Sequence, residues 1–263
     1  MWEKLWQLSW GKNVKTVKNP NLPEMAEAVI IGEKYSSLLT NPLKNQGIEP
    51  IFVPNNALVD PRLSGHADLS VLHRGGDRLW LAPHLRGSGF ADRLSAMGFV
   101  LDYPDMQQSD AYPADAQLNL CFCGQFVICN PNVIPKEIVD YLTNSEYKIV
   151  NCRQGYARCS ICVVDEGAII TADRGIGDAA KRAGMDILLI EPGYIALEGF
   201  SYGFIGGAAF KISQSKLAFT GRLDGHKNKN EIFDFLNCHG VEPIFLTEMP
   251  VFDIGSGIPI LEK

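Results

Sequence analysis

Residues 47–54 read GIEPIFVP, and residues 240–247 read GVEPIFLT. Glycine, an apolar residue, Glu-Pro and an apolar run recur in the same order near both ends of a chain of 263 residues. Such self-similarity is tested first as an internal repeat. The unit is taken as helix, Gly, strand, polar loop and second strand, and the chain reads as successive copies of it. The first copy has a helical stretch SSLLTNPLKNQG (36–47), broken or started by Pro42, then IEPIFVP, SGHADLSVLH (64–73) and the strand DRLWLAP (77–83). The second has FADRLSAMG (90–98), which stops on Gly98, then FVLDYP, YPADAQLNLCF (112–122) and QFVICNP (125–131). The third has PKEIVDYLTNSE (135–146), YKIVNC, RQGYARCSICVVD (153–165) and GAIITAD. The fourth has GIGDAAKRAG (175–184), MDILLIEP, LEGFSYGFIGGAAFKI (197–212) and KLAFTG. The fifth has KNEIFDFLNCHG (229–240), VEPIFLTE and FDIGSGIPI (252–260), and it lacks a final strand. The unclaimed strand EAVIIGEK (27–34) can supply it. The two opening phrases are thus the same position in the first and fifth copies, with a period of about 45–50 residues. Five units in a circle would remove exposed strand edges. An ordinary α/β order of strands and helices is the competing reading. Residues 1–27 are expected to be an N-terminal extension, and 28–263 a single domain of five repeats.

The bulk properties agree with a globular enzyme-sized domain. Hydrophobic residues make up 46% and charged residues 21%. A chain of this length buries roughly three quarters of its unfolded surface. The net charge is −6, and Lys and Arg form no run, which argues against a nucleic-acid surface. The seven cysteines are an odd number and several sit in strand-like runs. With no visible leader, this points to free thiols in a reducing, cytoplasmic setting. MWEKLWQLSW (1–10) carries charge and is too short to span a bilayer, so it reads as a short amphipathic segment. No membrane partner is expected, and homo-oligomerisation is left open.

A five-fold ring of ββαβ units resembles the pentein, or α/β-propeller, fold. The chain looks like an uncharacterised bacterial family of that superfamily, on SGHADL (64–69), YPADAQLN (112–119), RQGYARCS (153–160), AIITADRGI (168–176), DILLIEPGYIALEGFSYGFIGGAAF (186–210) and FDIGSGIPILEK (252–263). The superfamily hosts arginine deiminases, dimethylarginine hydrolases, agmatine deiminases and amidinotransferases, and a non-catalytic ribosome-binding translation factor. The resemblance implies five loops meeting near a common axis. They carry His66 and Asp68; Asp115 and Asn119; Arg158 and Cys159; Glu198 and Tyr202; Asp253 and Ser256.

The guanidino enzymes use a Cys nucleophile, a His acid/base and carboxylates. Carboxylates hold a planar cation by two-pronged hydrogen bonds, a thiolate attacks its central carbon, and an imidazole moves the proton. Here the expected catalytic residues are Cys159, His66 and Asp68. Asp115, Asn119, Arg158, Glu198, Tyr202, Asp253 and Ser256 are the expected substrate-binding residues. A reactive thiol of lowered pKa would label selectively at Cys159. One departure stands out. The superfamily's enzymes carry their Cys in a Gly-rich loop of the final unit, and the matching loop here, DIGSGIPI (253–260), has none. The bland readings are a small buried Cys159 on a strand and His66 capping its own loop.

Other signals are weaker. CFC (121–123) puts two thiols on one strand face, whereas CSIC (159–162), read as strand, points its thiols apart, so no metal is expected. GFIGGAAF (203–210) leads into a strand, so its glycines serve close packing rather than phosphate binding. Asp173 reads as a helix N-cap. No cofactor is expected. The functional expectation is a Cys-dependent hydrolase or transferase acting on a guanidine-type or amide C–N bond of a small cationic molecule. The alternative is a non-catalytic pentein binding a small molecule or a protein.

Overall fold

In the computed structural model, residues 15–263 are described. The expected segment 1–10 lies outside them. Among the described residues the chain is α/β, with five small sheets. Each sheet is built the same way. An inner strand pairs antiparallel with a middle strand, which pairs parallel with an outer strand. The parallel pair needs a crossover, and a helix supplies it. Thus Val71–His73, Arg78–Leu81 and Val100–Asp102 form one sheet, with the helix Gly89–Ala96 between the last two. The next three sheets repeat this order, with helices Lys136–Thr143, Arg174–Arg182 and Lys229–Cys238.

The remaining sheet joins the two ends of the chain. Its inner strand Ile258–Glu262 pairs antiparallel with Ala26–Gly32, which pairs parallel with Glu49–Val53. The strand that the fifth copy lacks therefore comes from the N-terminal side, and the helix Ser36–Asn45 makes the crossover. That helix runs through Pro42, where the sequence suggested a break. The proline frees only the carbonyl of Leu38, on an exposed turn. Lys15–Thr16 adds to the other edge of Ile258–Glu262, and Asn21 donates to the carbonyl of Phe122 at 2.9 Å, so residues 15–21 are tied into two sheets.

The helices form where the pattern places them. Ile176, Ala179 and Ala180 are buried at the spacing of one helix face, and Asp173 caps that helix by accepting from the Ile176 amide at 2.9 Å. Gly98 ends its helix at φ +93. Alternation sorts the strands between cores. Cys121 and Cys123 pack in one apolar cluster and Phe122 in the adjoining one. Among the described residues no helix is long and apolar enough to cross a membrane.

The loops before the inner strands are linked in a closed circuit. The Asp68 amide donates to Gly255 O at 3.2 Å, and the Ile254 and Ser256 amides donate to Gly207 O at 3.0 and 2.9 Å. The Gly207 amide donates to Cys159 O at 2.8 Å, and the Ala157 amide to Asn119 O at 3.1 Å. Asn119 Nδ2 closes the circuit on Asp68 O at 3.5 Å. Close approach is possible because GFIGG lacks side chains where chains meet. A Cβ on Gly206 would lie 2.2 Å from Ile161 O and 2.5 Å from Arg158 O. Gly206→Ala is therefore expected to cost about 2–3 kcal/mol of stability. Gly89→Ala, which meets nothing within 4 Å, should be neutral or stabilising by up to about 1 kcal/mol. Urea unfolding measures both, and equal stability of the two variants would contradict the close-packing account.

Candidate active site

The sequence between helix and inner strand bends each chain inward at the circuit. His66 precedes a short helical turn, Ala67–Leu69, and Asp68 sits within it. Cys159 lies in a one-turn helix, Ala157–Ser160, and not in the strand that follows. A residue in such a turn aims its side chain independently of the strand's two-fold alternation, which is why strand reasoning misplaced it.

These turns bring together residues far apart in sequence. One ring nitrogen of His66, a carboxylate oxygen of Asp68 and the Cys159 sulfur all lie within 4.8 Å of one another. The thiol donates to Asp68 Oδ2 at 2.8 Å. Asn119 holds Cys159 from two sides, donating from Nδ2 to the sulfur at 3.3 Å and accepting the Cys159 amide on Oδ1 at 3.1 Å. Asp253 Oδ1 lies 3.9 Å from His66 Nε2. Its carboxylate is fixed by the amides of Gly255 and Phe204, at 2.9 and 2.8 Å. Gly255 stands against His66, where a Cβ would fall 2.3 Å from His66 Cβ. All four side chains are nearly out of solvent: His66 and Asp253 are 3% exposed, Asp68 and Cys159 2%.

Burial sets the electrostatics. It pushes Asp68 up to about 6, against the opposing pull of His66 and of the thiol hydrogen bond. It pushes the Cys159 thiol well above the usual range, and the charges of Asp68 and Asp253 add to the effect. The expected low-pKa thiol is thus corrected. In this closed site Cys159 is a protonated donor. His66 Nε2 and Asp68 Oδ1 are buried without a hydrogen-bond partner.

The other expected residues are distributed around this cluster. Asp115 is buried and accepts from the Tyr156 hydroxyl on one oxygen, while its other oxygen has no partner. Burial raises its pKa above the ordinary carboxylate value. Arg158 points to the structural side, donating to Asn21 Oδ1 at 3.1 Å and to Ile161 O at 3.2 Å. Ser256 sits in the circuit at φ +65, its hydroxyl donating to Gly257 O at 3.2 Å. Glu198 is exposed and pairs with Lys34 at 3.5 Å. Tyr202 is exposed and meets Phe204 edge-on. Glu198 lines an open groove of about 560 Å³ together with Tyr35, Arg62, Phe252 and Asp253, so the groove reaches one wall of the buried cluster. Sequence reasoning missed Tyr156 as the partner of Asp115, and Asn21 as the partner of Arg158. Tyr156 stood in the quoted RQGYARCS motif; nothing in the sequence pointed to Asn21.

Two outcomes follow. Asp68 has a folded pKa above its unfolded one, so between pH about 4 and about 6 the folded state binds more protons and loses stability as pH rises. Asp68→Asn should remove this loss, gaining up to about 3 kcal/mol relative to the native chain between pH 4 and 7. A pH-independent difference in urea unfolding would contradict it. Second, iodoacetamide at neutral pH should modify the exposed Cys238 well before Cys159. Mass mapping that found Cys159 modified first would overturn the protonated, closed thiol.

Comparison with known proteins bears on the fold. A profile described as Family of unknown function (DUF6873) matches residues 30–258. No curated protein sequence matches the chain. Among solved structures, inosamine-phosphate amidinotransferase from Streptomyces griseus aligns with TM-score 0.56 at 11% identity, covering 94% of this chain and 96% of that one. A C. jejuni agmatine deiminase, a Cys-to-Ser variant with substrate bound, aligns with TM-score 0.53 at 9% identity, over 95% and 97%. DDAH from Pseudomonas aeruginosa, a Cys-to-Ser variant complexed with citrulline, aligns with TM-score 0.52 at 10% identity, over 89% and 96%. At such identities the likeness shows the fold alone, the pentein fold that these proteins share. With most of its length matched by one family profile, the chain belongs to the family of unknown function DUF6873.

Proposed function

We propose that this protein is a five-bladed α/β-propeller enzyme that attacks a guanidine-type C–N bond of a small cationic molecule through Cys159. The observation that carries the reading is the cluster of sulfur, imidazole and carboxylate within 4.8 Å, assembled from separate loops. A planar cation is the ligand that such a site lacks. Asp68 and Asp253 supply the negative charge, and the unpartnered Asp68 Oδ1 supplies an acceptor.

The chemistry follows from the contacts. A cation seated against Asp68 would offset the charges that hold the thiol protonated. Cys159 then passes its proton to the His66 ring, a nitrogen of which lies within 4.8 Å of the sulfur, and Asp68 stays a carboxylate. The sulfur forms a bond to the central guanidinium carbon, the C–N bond breaks, and His66 gives the departing amine its proton. The covalent thiouronium is resolved by water in a hydrolase or by an acceptor amine in a transferase, and the sulfur leaves. Asn119 fixes the thiol's direction, and Asp253, held by two amides, stands beside the His66 ring. Asp115, beside Tyr156, is assigned to the substrate's distal cationic group, and Glu198 to the groove that admits it. Arg158 and Ser256 serve the scaffold. The burial of all four central side chains favours a second reading, a non-catalytic pentein that binds a small molecule or a protein partner.

Arginine, agmatine and related guanidino compounds, with and without an acceptor amine, should be screened for ammonia release or amidino transfer. Turnover of at least one is expected, with a loss of about 10³-fold or more in Cys159→Ala and in His66→Ala. No turnover of any compound, or turnover that survives Cys159→Ala, would favour the binding role.

A further inference from the structure

We propose that His66, Asp68 and Cys159 also form a binding site for a thiophilic divalent cation of the zinc class. The inference rests on the donor set and does not require the reaction described above.

The sequence directs attention to the cysteine pairs, and those pairs do not supply this site. Its donors come from two loops whose thiol and carboxylate are 91 residues apart in the chain, and they meet only through the circuit. They offer one nitrogen, one oxygen and one sulfur, all within 4.8 Å of one another. Zinc bonds of 2.0–2.3 Å set donor separations of about 3.5 Å in a tetrahedron. Side-chain rotations of about 1 Å would therefore bring the set to that size. The short thiol–carboxylate contact relaxes outward once its bridging proton is gone.

His66 and Asp68 each carry a buried atom, Nε2 and Oδ1, that makes no hydrogen bond among the described residues. Buried polar atoms are normally satisfied, so each such atom asks for a ligand. Charge agrees. On binding, the thiol releases its proton to solvent, and a thiolate and one carboxylate balance a divalent ion beside neutral imidazole. Sulfur and imidazole select zinc over the hard cations magnesium and calcium. Three protein donors leave a fourth position open, and Asp253 Oδ1, 3.9 Å from Nε2, is within reach of it or of a water bound there. Occupation would tie up the thiol, so the metal and a cationic substrate would exclude each other.

The test uses the full chain, stripped with a chelator. Zinc is titrated calorimetrically, and cobalt(II) by sulfur-to-metal charge-transfer absorption. One equivalent should bind, and the cobalt band should vanish in Cys159→Ser. Zinc affinity should fall about ten-fold or more in both Cys159→Ser and His66→Gln. Cys238→Ser, which alters the exposed thiol, should bind as the native chain does. Circular dichroism of the metal-free variants establishes that they fold. X-ray absorption on the zinc-loaded native chain needs no variant, and one sulfur among nitrogen and oxygen neighbours is expected. The proposal is overturned by no binding, by unchanged affinity in folded Cys159→Ser, by binding that follows Cys238, or by two or more sulfurs around the metal. Metal binding and guanidine turnover are read separately, so either can fail while the other stands.

Discussion

Everything central in this molecule hangs on the hydrogen-bond circuit that joins the loops around Asp68, Asn119, Cys159, Gly207 and Gly255. Each loop turns inward with backbone amides and carbonyls that water does not reach, and a buried peptide group without a partner is costly. No single unit can satisfy its own loop. The neighbouring loop supplies the partner, and the last link returns to the first unit. The same dependence appears at the outer rim, where the fifth sheet is completed by a strand from the N-terminal side. Closing the sheet and closing the circuit are two aspects of one constraint, because every unit lends a neighbour what that neighbour lacks.

The circuit also creates an electrostatic problem and a use for it. It crowds Asp68 and Asp253 against His66 and Cys159 in a place nearly free of water. Asp68 responds with a raised pKa, and the thiol keeps its proton. The nearby guanidinium of Arg158 is spent on Asn21 and on carbonyl oxygens, so it does not cap the carboxylates directly. The two proposed ligands would meet this crowding of acids in different ways, a small planar cation by hydrogen bonds to the acids and a soft metal ion by bonds to nitrogen, oxygen and sulfur.

The positions of the glycines show how little freedom the centre has. Gly207 would place a Cβ 1.9 Å from Asp253 Oδ1, and Gly255 one 2.3 Å from His66 Cβ. These residues contribute no functional group. They set the distances at which the functional groups meet, which is why GFIGG and DIGSG belong to the site as much as the acids do.

Much of this was legible in the chain. The paired phrases at 47 and 240 fixed the phase of a repeat, and the 3.6 and two-residue periods then marked the crossover helices and the strands they join. Together with the resemblance to the pentein fold, that anticipated the shared sheet between the termini and the meeting of His66, Asp68, Cys159 and Asp253. It did not yield the turn geometry at Cys159, the commitment of Arg158 to Asn21, the Tyr156–Asp115 contact or the protonated state of the thiol. Periodicity reports which face of an element is buried, and it operates over a few residues. Side-chain direction in an irregular turn, and the desolvation that sets a pKa, depend on atoms contributed by other units across the circuit, and those arise only when the chain is folded.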